Sequence, residues 1–246
     1  MTPEIKIQAP QVSSLESWPQ YKEQNFAPST VYLLDCLQAM KLYPDNYFDL
    51  AIVDPPYGND NIQGGYTSGK GGGVAKQKNY NKSLWNCAEP TKEYWQELFR
   101  VSKNQIVWGA NHYPQIFKKS SGWLFWDKLN GNVSFSDGEL AYTSFNKGLR
   151  KFSYRWSGML QQNMKEKEVR IHPTQKPVAL YSWILKNYAE KEHKILDTHL
   201  GSGSSRIAAH KAGMSFTGFE IDPGYFIEAD QRFRNFIKQG RLAFQF

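Results

Sequence analysis

Short apolar segments alternate with segments of helical periodicity over most of the 246-residue chain, and this alternation restricts the fold more than any other feature. The apolar runs are nearly continuous, which is typical of parallel strands buried on both faces of a sheet. Strands are predicted at residues 31–34, 48–53, 105–108, 122–126, 139–144, 194–197 and 215–220, and helices at residues 35–40, 90–101, 178–188, 204–211 and 225–238. This order predicts an α/β fold with an open, mainly parallel sheet and helices on both faces.

The length of the chain suits one large domain better than two. Residues 1–29, which contain several Pro, Gln and Ser residues, are predicted to form an N-terminal arm, and residues 30–246 a single domain. A loop rich in Gly and Asn at residues 58–82 is either a mobile lid over a substrate or slack surface. Residues 129–171 are predicted to be irregular apart from the strand at 139–144, and to form a small inserted region.

Positive charge is concentrated in residues 129–171. The whole chain has 30 Lys and Arg residues against 23 Asp and Glu, a formal charge of +7, which favours a polyanionic partner such as nucleic acid. The basic residues of the segment are Lys147, Arg150, Lys151, Arg155, Lys165, Lys167 and Arg170. We expect them to face nucleic acid, and the alternative is a solvated loop with a basic bias. An aromatic content of 15% suits stacking on bases, although most rings belong in the core.

The cysteine and histidine residues point to a reducing compartment and to chemistry without a metal. Cys36 and Cys87 are the two cysteines, too few for a disulfide framework or a metal cluster, so a cytoplasmic location is expected. The five histidines lack the spacing of zinc ligands. The chain also has no apolar run near the roughly 20 residues that a membrane span needs, so no membrane partner is expected.

Asp54, Pro55, Pro56 and Tyr57 directly follow the predicted strand at residues 48–53. The carboxyl end of such a strand is where ligands bind in open α/β sheets. Two prolines fix the backbone and remove two N–H donors, which leaves the Asp54 carboxylate and a proline carbonyl as rigid acceptors. Such acceptors would hold the hydrogens of an exocyclic amine and free its lone pair for attack. Tyr57 would stack on the face of the nucleic-acid base that carries this amine. The alternative is an ordinary turn that ends a strand.

A second strand, which ends at Asp197, leads through a small-residue turn into a helix. The turn contains Gly201, Ser202, Gly203 and Ser204. Its bare backbone leaves room for a nucleotide-like cofactor, although the full GxGxxG spacing is absent. Glu220 ends the next strand about 20 residues later, the spacing at which a carboxylate binds ribose hydroxyls, with an exposed strand-end acid as the alternative. Asp222 is predicted to cap the following helix.

These residues resemble the amino-methyltransferases of DNA, which make N6-methyladenine or N4-methylcytosine. The catalytic motif of that family, (Asp/Asn/Ser)-Pro-Pro-(Tyr/Phe/Trp), is matched by residues 54–57, and Asp in the first place is the form usual in the adenine enzymes. The cofactor motif, Asp-Pro-Phe-x-Gly-Ser-Gly-Thr, is similar to residues 197–204, where Thr198, His199 and Ser204 depart from it. The catalytic motif comes first, as in the permuted β branch, whose target-recognition segment corresponds to residues 129–171.

The resemblance implies roles for further residues. His-Pro-Thr-Gln-Lys-Pro at residues 172–177 closely resembles a motif that helps to hold the methionine part of S-adenosylmethionine. Cofactor contacts are therefore predicted for His172, Thr174 and Lys176 with the methionine part, and for Asp35 and Cys36 with the adenine. For the pair at 35–36, an ordinary helix cap is the alternative, and for residues 172–177 the alternative is a turn followed by the N-terminus of a helix. Residues 108–112 and 126–128 lie at strand ends that would face the same edge, where substrate contacts and ordinary packing fit equally well.

The fold and activity that the resemblance implies are those of a Rossmann-like methyltransferase. The expected reaction is transfer of a methyl group from S-adenosylmethionine to the N6 amine of an adenine that is flipped out of double-stranded DNA. The alternatives are N4-cytosine methylation, RNA adenine methylation, and a catalytically silent DNA-binding protein of the same fold. A nicotinamide dehydrogenase fits poorly, because the glycine pattern is incomplete. Whether the chain forms a homodimer is left open.

Overall fold

The computed structural model describes residues 27–58, 89–117, 119–131, 136–157 and 160–243. Its strands are β1 (Ser29–Leu33), β2 (Phe48–Val53), β3 (Ser102–Trp108), β4 (Trp123–Asp127), β5 (Gly138–Thr143), β6 (Arg150–Ser153), β7 (Trp156–Ser157), β8 (Leu160–Gln161), β9 (Lys194–Asp197) and β10 (Ser215–Glu220). Its α-helices are α1 (Cys36–Met40), α2 (Lys92–Val101), α3 (Val178–Tyr188), α4 (Ser204–Lys211) and α5 (Pro223–Ala243), and a 3₁₀ helix covers Ala110–His112.

One sheet contains most of these strands, in the order β1-β10-β9-β2-β3-β5-β4-β6, while β7 and β8 pair separately. The first five strands in this order run parallel to one another. β5 is antiparallel to β3 and β4, and β6 pairs in parallel with β4. The expected α/β fold with a mainly parallel sheet is therefore confirmed.

Helices cover both faces of this sheet, because alternate residues of each strand point to opposite faces. On β2, Leu50 and Ile52 belong to a core that also contains residues of α3, α4 and α5. Ala51 and Val53 belong to a second core, which contains residues of α1 and α2. All four side chains are almost fully buried. This burial on both sides explains why a nearly continuous apolar run forms the strand.

The predicted element bounds agree with the structure where the local signals are strong. The bounds of β2, α3, β9, α4 and β10 are as predicted. Helix α2 begins at Lys92 rather than at residue 90, because the Thr91 hydroxyl accepts a hydrogen bond from the Tyr94 amide as its N-cap. Helix α5 begins two residues before the predicted position, where Asp222 caps it as expected by accepting from the Gly224 and Tyr225 amides at 2.8 and 3.0 Å.

The prediction that residues 129–171 are irregular apart from one strand is wrong. Besides β5, this segment supplies β6 to the main sheet and forms the small antiparallel pair of β7 and β8. The sequence pattern did not indicate β6, because three of its four residues are exposed and it lacks an apolar alternation. Pairing with β4, rather than local preference, makes these residues a strand.

Two further expectations fall largely outside the described residues. The predicted N-terminal arm is described only from residue 27, and Ser29 already belongs to β1. The loop at residues 58–82, expected to be either a lid or slack surface, is described only at residue 58. The division into an arm and one domain stays a prediction. None of the helices that the structure describes is long and apolar enough to cross a membrane.

The sheet order brings several loops to one edge. In that order β2 lies beside β9, β9 beside β10, and β10 beside β1, and all four strands run in the same direction. The segments at residues 34–36, 54–57, 198–203 and 221–222 therefore follow the carboxyl ends of neighbouring strands. Ligands of open α/β sheets bind at this edge.

Candidate active site

A cavity of about 340 Å³ lies at the carboxyl edge of the parallel strands. This volume is within the range of small-molecule sites. The predicted site residues among its lining are Asp35, Cys36, Asp54, Pro56, His172, Thr174, Lys176, Gly201, Ser202 and Glu220. The fold therefore brings together residues from five segments that are far apart in the sequence. The predicted site residues outside the lining are Pro55, Tyr57, Asp197, Gly203 and Ser204.

Tyr57 holds the Asp54 carboxylate instead of lining the cavity. Its hydroxyl donates a hydrogen bond to Asp54 Oδ1 at 2.6 Å. Its ring stacks on His112, with ring centroids 4.6 Å apart and planes 14° apart. Gly109 makes room for this ring, because a Cβ at that position would collide with it, and the left-handed backbone there (φ +66°) also favours glycine. The base stacking predicted for Tyr57 stays a prediction.

The two prolines fix the backbone between Asp54 and Tyr57. Pro55 is buried, and Pro56 lines the cavity. The Pro56 carbonyl accepts a hydrogen bond from the Tyr113 hydroxyl. Among the residues that the structure describes, no donor is found for the Pro55 carbonyl. The Pro55 carbonyl is therefore the better acceptor for a further donor.

Lys176 lies against Asp54, although 122 residues separate them. Its side chain is 3% exposed, and its ammonium is paired with Asp54 Oδ2. The same ammonium is 3.1 Å from Glu139 Oε2. Burial would lower the pKa of Lys176, but Asp54 and Glu139 outweigh it and raise that pKa, so the amine is charged. The predicted contact of Lys176 with the methionine part of the cofactor stays a prediction.

The glycine-rich turn after β9 is attached to the end of β10 through Glu220. Gly201 and Gly203 have left-handed backbones (φ +50° and +69°), which favour glycine at both positions. Glu220 Oε2 accepts from the Gly201 amide at 2.8 Å, and Oε1 accepts from the amides of Ile221 and Asp222. Glu220 thus shapes the turn as well as lining the cavity, and its predicted bond to ribose hydroxyls stays a prediction.

Asp197 is buried beneath the turn. Its carboxylate accepts hydrogen bonds from the Ser205 hydroxyl and from the His199 amide. Burial raises the pKa of Asp197 to about 7, because two hydrogen bonds only partly offset the loss of solvent. Ser204 likewise faces away from the cavity, and its hydroxyl accepts from Arg232 Nη1 at 2.9 Å. The cofactor contacts predicted for Asp197 and Ser204 stay predictions.

His172 and His199 line the cavity as neutral groups. Burial, assisted by the Lys176 ammonium, lowers the pKa of His172 to about 3. Burial lowers the pKa of His199 to about 4. The Thr174 hydroxyl lies 3.1 Å from His172 Nδ1, which orients the imidazole. At neutral pH neither ring adds charge to the cavity.

Asp35 and Cys36 lie between β1 and α1, at one end of the cavity. Asp35 Oδ1 accepts from the Gln38 amide at 2.9 Å, so Asp35 is the N-cap of α1 while it also lines the cavity. Burial is the main cause that raises the pKa of Cys36 to about 12, so its thiol is uncharged. Asp35 therefore caps the helix and lines the cavity at the same time, so the two interpretations of this pair do not exclude each other.

The charges around the cavity suit a cation. Its lining has the carboxylates of Asp35, Asp54 and Glu220 but one ammonium, that of Lys176. Three negative groups against one positive group favour a ligand of net positive charge.

Several residues of the site were missed from the sequence. Gln175, Tyr181 and Thr198 line the cavity without having been singled out as ligands. Glu139 and Lys128 form an ion pair of 2.6 Å beside Lys176. Residues 126–128 had been noted at a strand end, but Glu139 carried no signal. It lies at the amino end of an antiparallel strand, which is at the same edge as the carboxyl ends of the parallel ones.

Part of the basic segment lies at the far side of the sheet. Lys151 and Arg155 are exposed on and after β6, the terminal strand, and Lys151 is 3.3 Å from Asp127. Lys147 packs against the Tyr188 ring and donates to the Asn187 carbonyl. Part of the predicted nucleic-acid surface is therefore exposed, whereas Lys147 is engaged with the protein itself.

Comparison with known proteins gives one family and one fold. A family model described as DNA methylase matches residues 107–231. The chain is 24% identical over 233 residues to type II methyltransferase M2.MboI of Moraxella bovis, covering 81% of this chain and 85% of that protein. The fold is similar to that of TTHA0409, a putative DNA modification methylase from Thermus thermophilus complexed with S-adenosyl-L-methionine (TM-score 0.53, 14% identity, 85% of this chain and 94% of that chain). It is also similar to that of PvuII DNA methyltransferase, cytosine-N4-specific (TM-score 0.51, 13% identity, 87% of this chain and 91% of that chain).

Proposed function

We propose that this chain, which belongs to the DNA methylase family, transfers a methyl group from S-adenosylmethionine to the N6 amine of adenine in double-stranded DNA. The observation that carries the proposal is the position of the Asp54 carboxylate. It stands in the wall of the cavity, beside rigid proline backbone, and Tyr57 holds its orientation.

The cavity suits S-adenosylmethionine, the methyl donor of this family. Bound there, the cofactor supplies an electrophilic methyl group on a positively charged sulfur. Apolar walls from Leu34 and Phe219 suit the flat face of its adenine, and Asp35 and Glu220 lie beside them as acceptors for polar groups. The net negative lining favours the sulfonium over an anionic cofactor.

Asp54 and Pro55 would hold the amine that is methylated. The amine has two hydrogens, and the Asp54 carboxylate and the Pro55 carbonyl offer two acceptors on one rigid turn. Tyr57 and Lys176 each occupy one oxygen of Asp54, and each carboxylate oxygen has a second acceptor position. Holding both hydrogens directs the nitrogen lone pair at the methyl carbon. Catalysis in this scheme is positioning and electrostatics, without a covalent enzyme intermediate.

The choice of adenine over cytosine rests on Asp54. The resemblance to the adenine enzymes lies in an Asp at the first place of the motif, while Ser at that place is more typical of the cytosine enzymes. Both amines offer two hydrogens to the same acceptors, so N4-cytosine methylation is the second candidate. The structural similarity to a cytosine-N4-specific enzyme is a similarity of fold.

The base must leave the DNA stack to reach this site. The Asp54 carboxylate is 19% exposed and lies within a cavity, where the amine of a stacked and paired base has no access. Exposed Lys151 and Arg155 offer cations for the phosphates of the duplex. Base flipping is therefore part of the proposal.

The test is transfer of labelled methyl from S-adenosylmethionine to unmethylated double-stranded DNA, followed by nucleoside analysis. Label in N6-methyladenine is the expected result. Label in N4-methylcytosine would keep the reaction and replace the base. In a parallel reaction that offers RNA and DNA together, label in the RNA alone would replace the substrate. Cofactor binding without any transfer would contradict catalysis and favour a silent DNA-binding protein.

The variant Asp54→Ala tests the role of the carboxylate. We expect turnover to fall by at least about 100-fold, because one of the two acceptors for the amine is lost. Binding of the demethylated cofactor S-adenosylhomocysteine, whose sulfur is neutral, should stay near the wild-type value, as measured by calorimetric titration. The matched control is Asp49→Asn. Asp49 lies at the other end of the same strand, outside the cavity lining, and its carboxylate is 2.6 Å from the Lys103 ammonium. Turnover retained in Asp54→Ala would overturn the assignment.

A further inference from the structure

Four charged side chains form a continuous chain of ion pairs at the cavity wall. The Asp54 carboxylate pairs with the Lys176 ammonium, which is 3.1 Å from Glu139 Oε2, and Glu139 Oε1 is 2.6 Å from Lys128 Nζ. The charges alternate from the cavity outward. Asp54 and Lys176 line the cavity, whereas Glu139 and Lys128 stand behind them.

Glu139 comes from an element that the catalytic motif does not require. It lies on β5, opposite Trp126 of β4, so the antiparallel pairing of these strands places it beside Lys128. Lys128 also lies over the Trp126 ring at 5.1 Å, and Lys176 over the Trp108 ring at 5.5 Å. These aromatic faces restrict where each ammonium can go. Packing against aromatic rings therefore fixes the ammonium groups on both sides of Glu139.

Glu139 is charged in this setting. Burial by itself would raise the pKa of Glu139, but the ammonium groups of Lys176 and Lys128 hold it well below its usual range. A partly exposed carboxylate next to two ammonium groups thus carries a full negative charge at neutral pH. It is the nearest second carboxylate to the Lys176 ammonium among the described residues.

The proposed reaction gives this charge a purpose beyond packing. In the proposed reaction the N–CH3 bond would form as the S–CH3 bond breaks, the cofactor would leave as a neutral thioether, and the amine would lose one proton to solvent. The sulfonium would therefore have to lie close to Asp54 and to the Lys176 ammonium paired with it. An ammonium paired with Asp54 alone would repel that sulfonium and would cancel the carboxylate that attracts it. A second carboxylate on the ammonium weakens both effects, and it does so more strongly at the sulfonium than Lys128 opposes it, because Lys128 lies farther from the cavity.

We infer that Glu139 is a positioning residue for methyl transfer, which neutralises the Lys176 ammonium so that the cationic sulfonium of the cofactor can lie beside Asp54. The inference rests on the proposed function, since it requires S-adenosylmethionine in this cavity. Glu139 acts through Lys176 and does not itself contact the reacting atoms.

Comparing the binding of two ligands distinguishes a charge role of Glu139 from a purely structural role. S-adenosylmethionine has a positive sulfur, and its product, S-adenosylhomocysteine, has the same groups around a neutral sulfur. The variant Glu139→Gln keeps the size of the side chain and removes its charge. We expect its Kd for S-adenosylmethionine to rise about 10-fold more than its Kd for S-adenosylhomocysteine, because one negative charge near the sulfonium is lost. We also expect a lower kcat.

Two further variants complete the experiment. Lys128→Met removes a positive charge from the other end of the same ion-pair chain, so the preference for S-adenosylmethionine should move in the opposite direction. Asp49→Asn removes a similarly half-buried carboxylate that pairs with a lysine away from the cavity, and the ratio of the two Kd values should stay as in the wild type. Lys128→Met also keeps the test decisive if Glu139→Gln fails to fold.

The outcomes are distinguishable from those of the proposed function. Equal weakening of both ligands in Glu139→Gln, or a shift of the Kd ratio in the same direction in Glu139→Gln and Lys128→Met, would overturn the charge role. A wild-type protein that methylates DNA while Glu139→Gln retains the wild-type kcat and Kd ratio would overturn the inference alone. A wild-type protein that binds neither ligand would overturn the proposed function and the inference with it.

Discussion

Asp54 and Asp197 end neighbouring strands of the sheet, yet their carboxylates have different surroundings. Asp54 lies in the cavity wall with its side chain 19% exposed, and an ammonium and a hydroxyl contact its two oxygens. Asp197 is 2% exposed, and its carboxylate accepts hydrogen bonds from the Ser205 hydroxyl and the His199 amide. Burial raises the pKa of Asp197 to about 7, because the neutral hydroxyl and amide donors offset only part of the lost solvation.

The variant Asp197→Asn should stabilise the protein at high pH. Between the ordinary pKa of 3.8 and about 7, folded Asp197 holds a proton that the unfolded chain has released, so wild-type stability falls as pH rises through this window. Asparagine does not ionise, and Ser205 can turn its hydroxyl to accept from the new amide. We expect the gain in unfolding free energy to be about 2 kcal/mol larger at pH 8 than at pH 5.

Urea unfolding of both proteins at the two pH values measures this difference. Cofactor affinity, measured on the same samples, should stay near the wild-type value, because Asp197 is almost fully buried and lies outside the cavity lining. A gain that is equal at the two pH values would contradict the buried charge. A large loss of affinity would support the cofactor contact that the sequence motif predicts for this residue.

At the scale of elements, helix α5 holds the glycine-rich turn in place from behind. Arg232 donates from Nη1 to the Ser202 carbonyl at 2.8 Å, and its Nη2 pairs with Glu168 at 2.6 Å. Glu168 in turn accepts from the Val178 amide, at the start of α3. One guanidinium therefore joins α5, the turn and the N-terminus of α3, three elements whose relative positions define one side of the cavity.

Replacing Arg232 by Met should weaken both the fold and the cofactor site. The substitution keeps an apolar stem of similar length but leaves Glu168 half-buried without its cation, for which we expect a loss of about 3 kcal/mol in unfolding free energy. The Kd for S-adenosylmethionine should rise several-fold, because Ser202 lines the cavity. Thermal unfolding and calorimetric titration measure the two effects.

A matched control lies on the same helix. Arg234 pairs with Asp230 at 2.6 Å, but its side chain is 55% exposed. Arg234→Met should cost less than about 1 kcal/mol, since exposed ion pairs contribute little. Similar losses of unfolding free energy in the two variants would show that the buried contacts of Arg232 stabilise the protein no more than an exposed ion pair does.

At the scale of the whole molecule, the cavity and a basic terminal strand lie at different ends of the sheet. The cavity lies at the ends of β1, β10, β9 and β2, while β6 closes the other side of the sheet. Since β6 runs parallel to β4, the exposed residues at its carboxyl end lie at the same edge as the cavity. A duplex along this edge could contact both, which fits a base that leaves its stack toward Asp54.

The double variant Lys151→Ala and Arg155→Ala should weaken DNA binding through its electrostatic part. If each residue contacts one phosphate, the slope of log K against log salt should become shallower by about 2. Affinity for S-adenosylmethionine should not change. Fluorescence anisotropy over a range of salt concentrations measures the slope.

The control for this prediction removes two cations from the opposite edge of the sheet. Lys103 is the second residue of β3, and Lys194 is the first residue of β9. Lys103→Ala with Lys194→Ala lowers the net charge equally but should leave the salt slope near that of the wild type. Equal slopes in the two double variants would place the DNA elsewhere and leave net charge as the common cause.

Much of the sheet and much of the candidate site could be predicted from the sequence, because their signals are local. The apolar run at Phe48–Val53 indicates a strand buried on both faces, and the double proline after it indicates a rigid turn. Gly201 and Gly203 indicate a turn with left-handed backbone. Each of these signals lies within a few neighbouring residues, where steric restrictions and hydrophobic periodicity act directly.

Tertiary structure alone decided which distant residues meet and how their charges balance. The pairing of Lys176 with Asp54 and Glu139 and the strand at Arg150–Ser153 depend on the order β2-β3-β5-β4-β6. The full burial of Asp197 depends on the position of β9 between β10 and β2. Glu139 reaches the site because β5 runs antiparallel, so the amino end of that strand lies at the carboxyl edge of its neighbours. Sequence patterns report the preferences of adjacent residues, whereas strand order and burial follow from the packing of the whole chain, which sets the local electrostatics of the site.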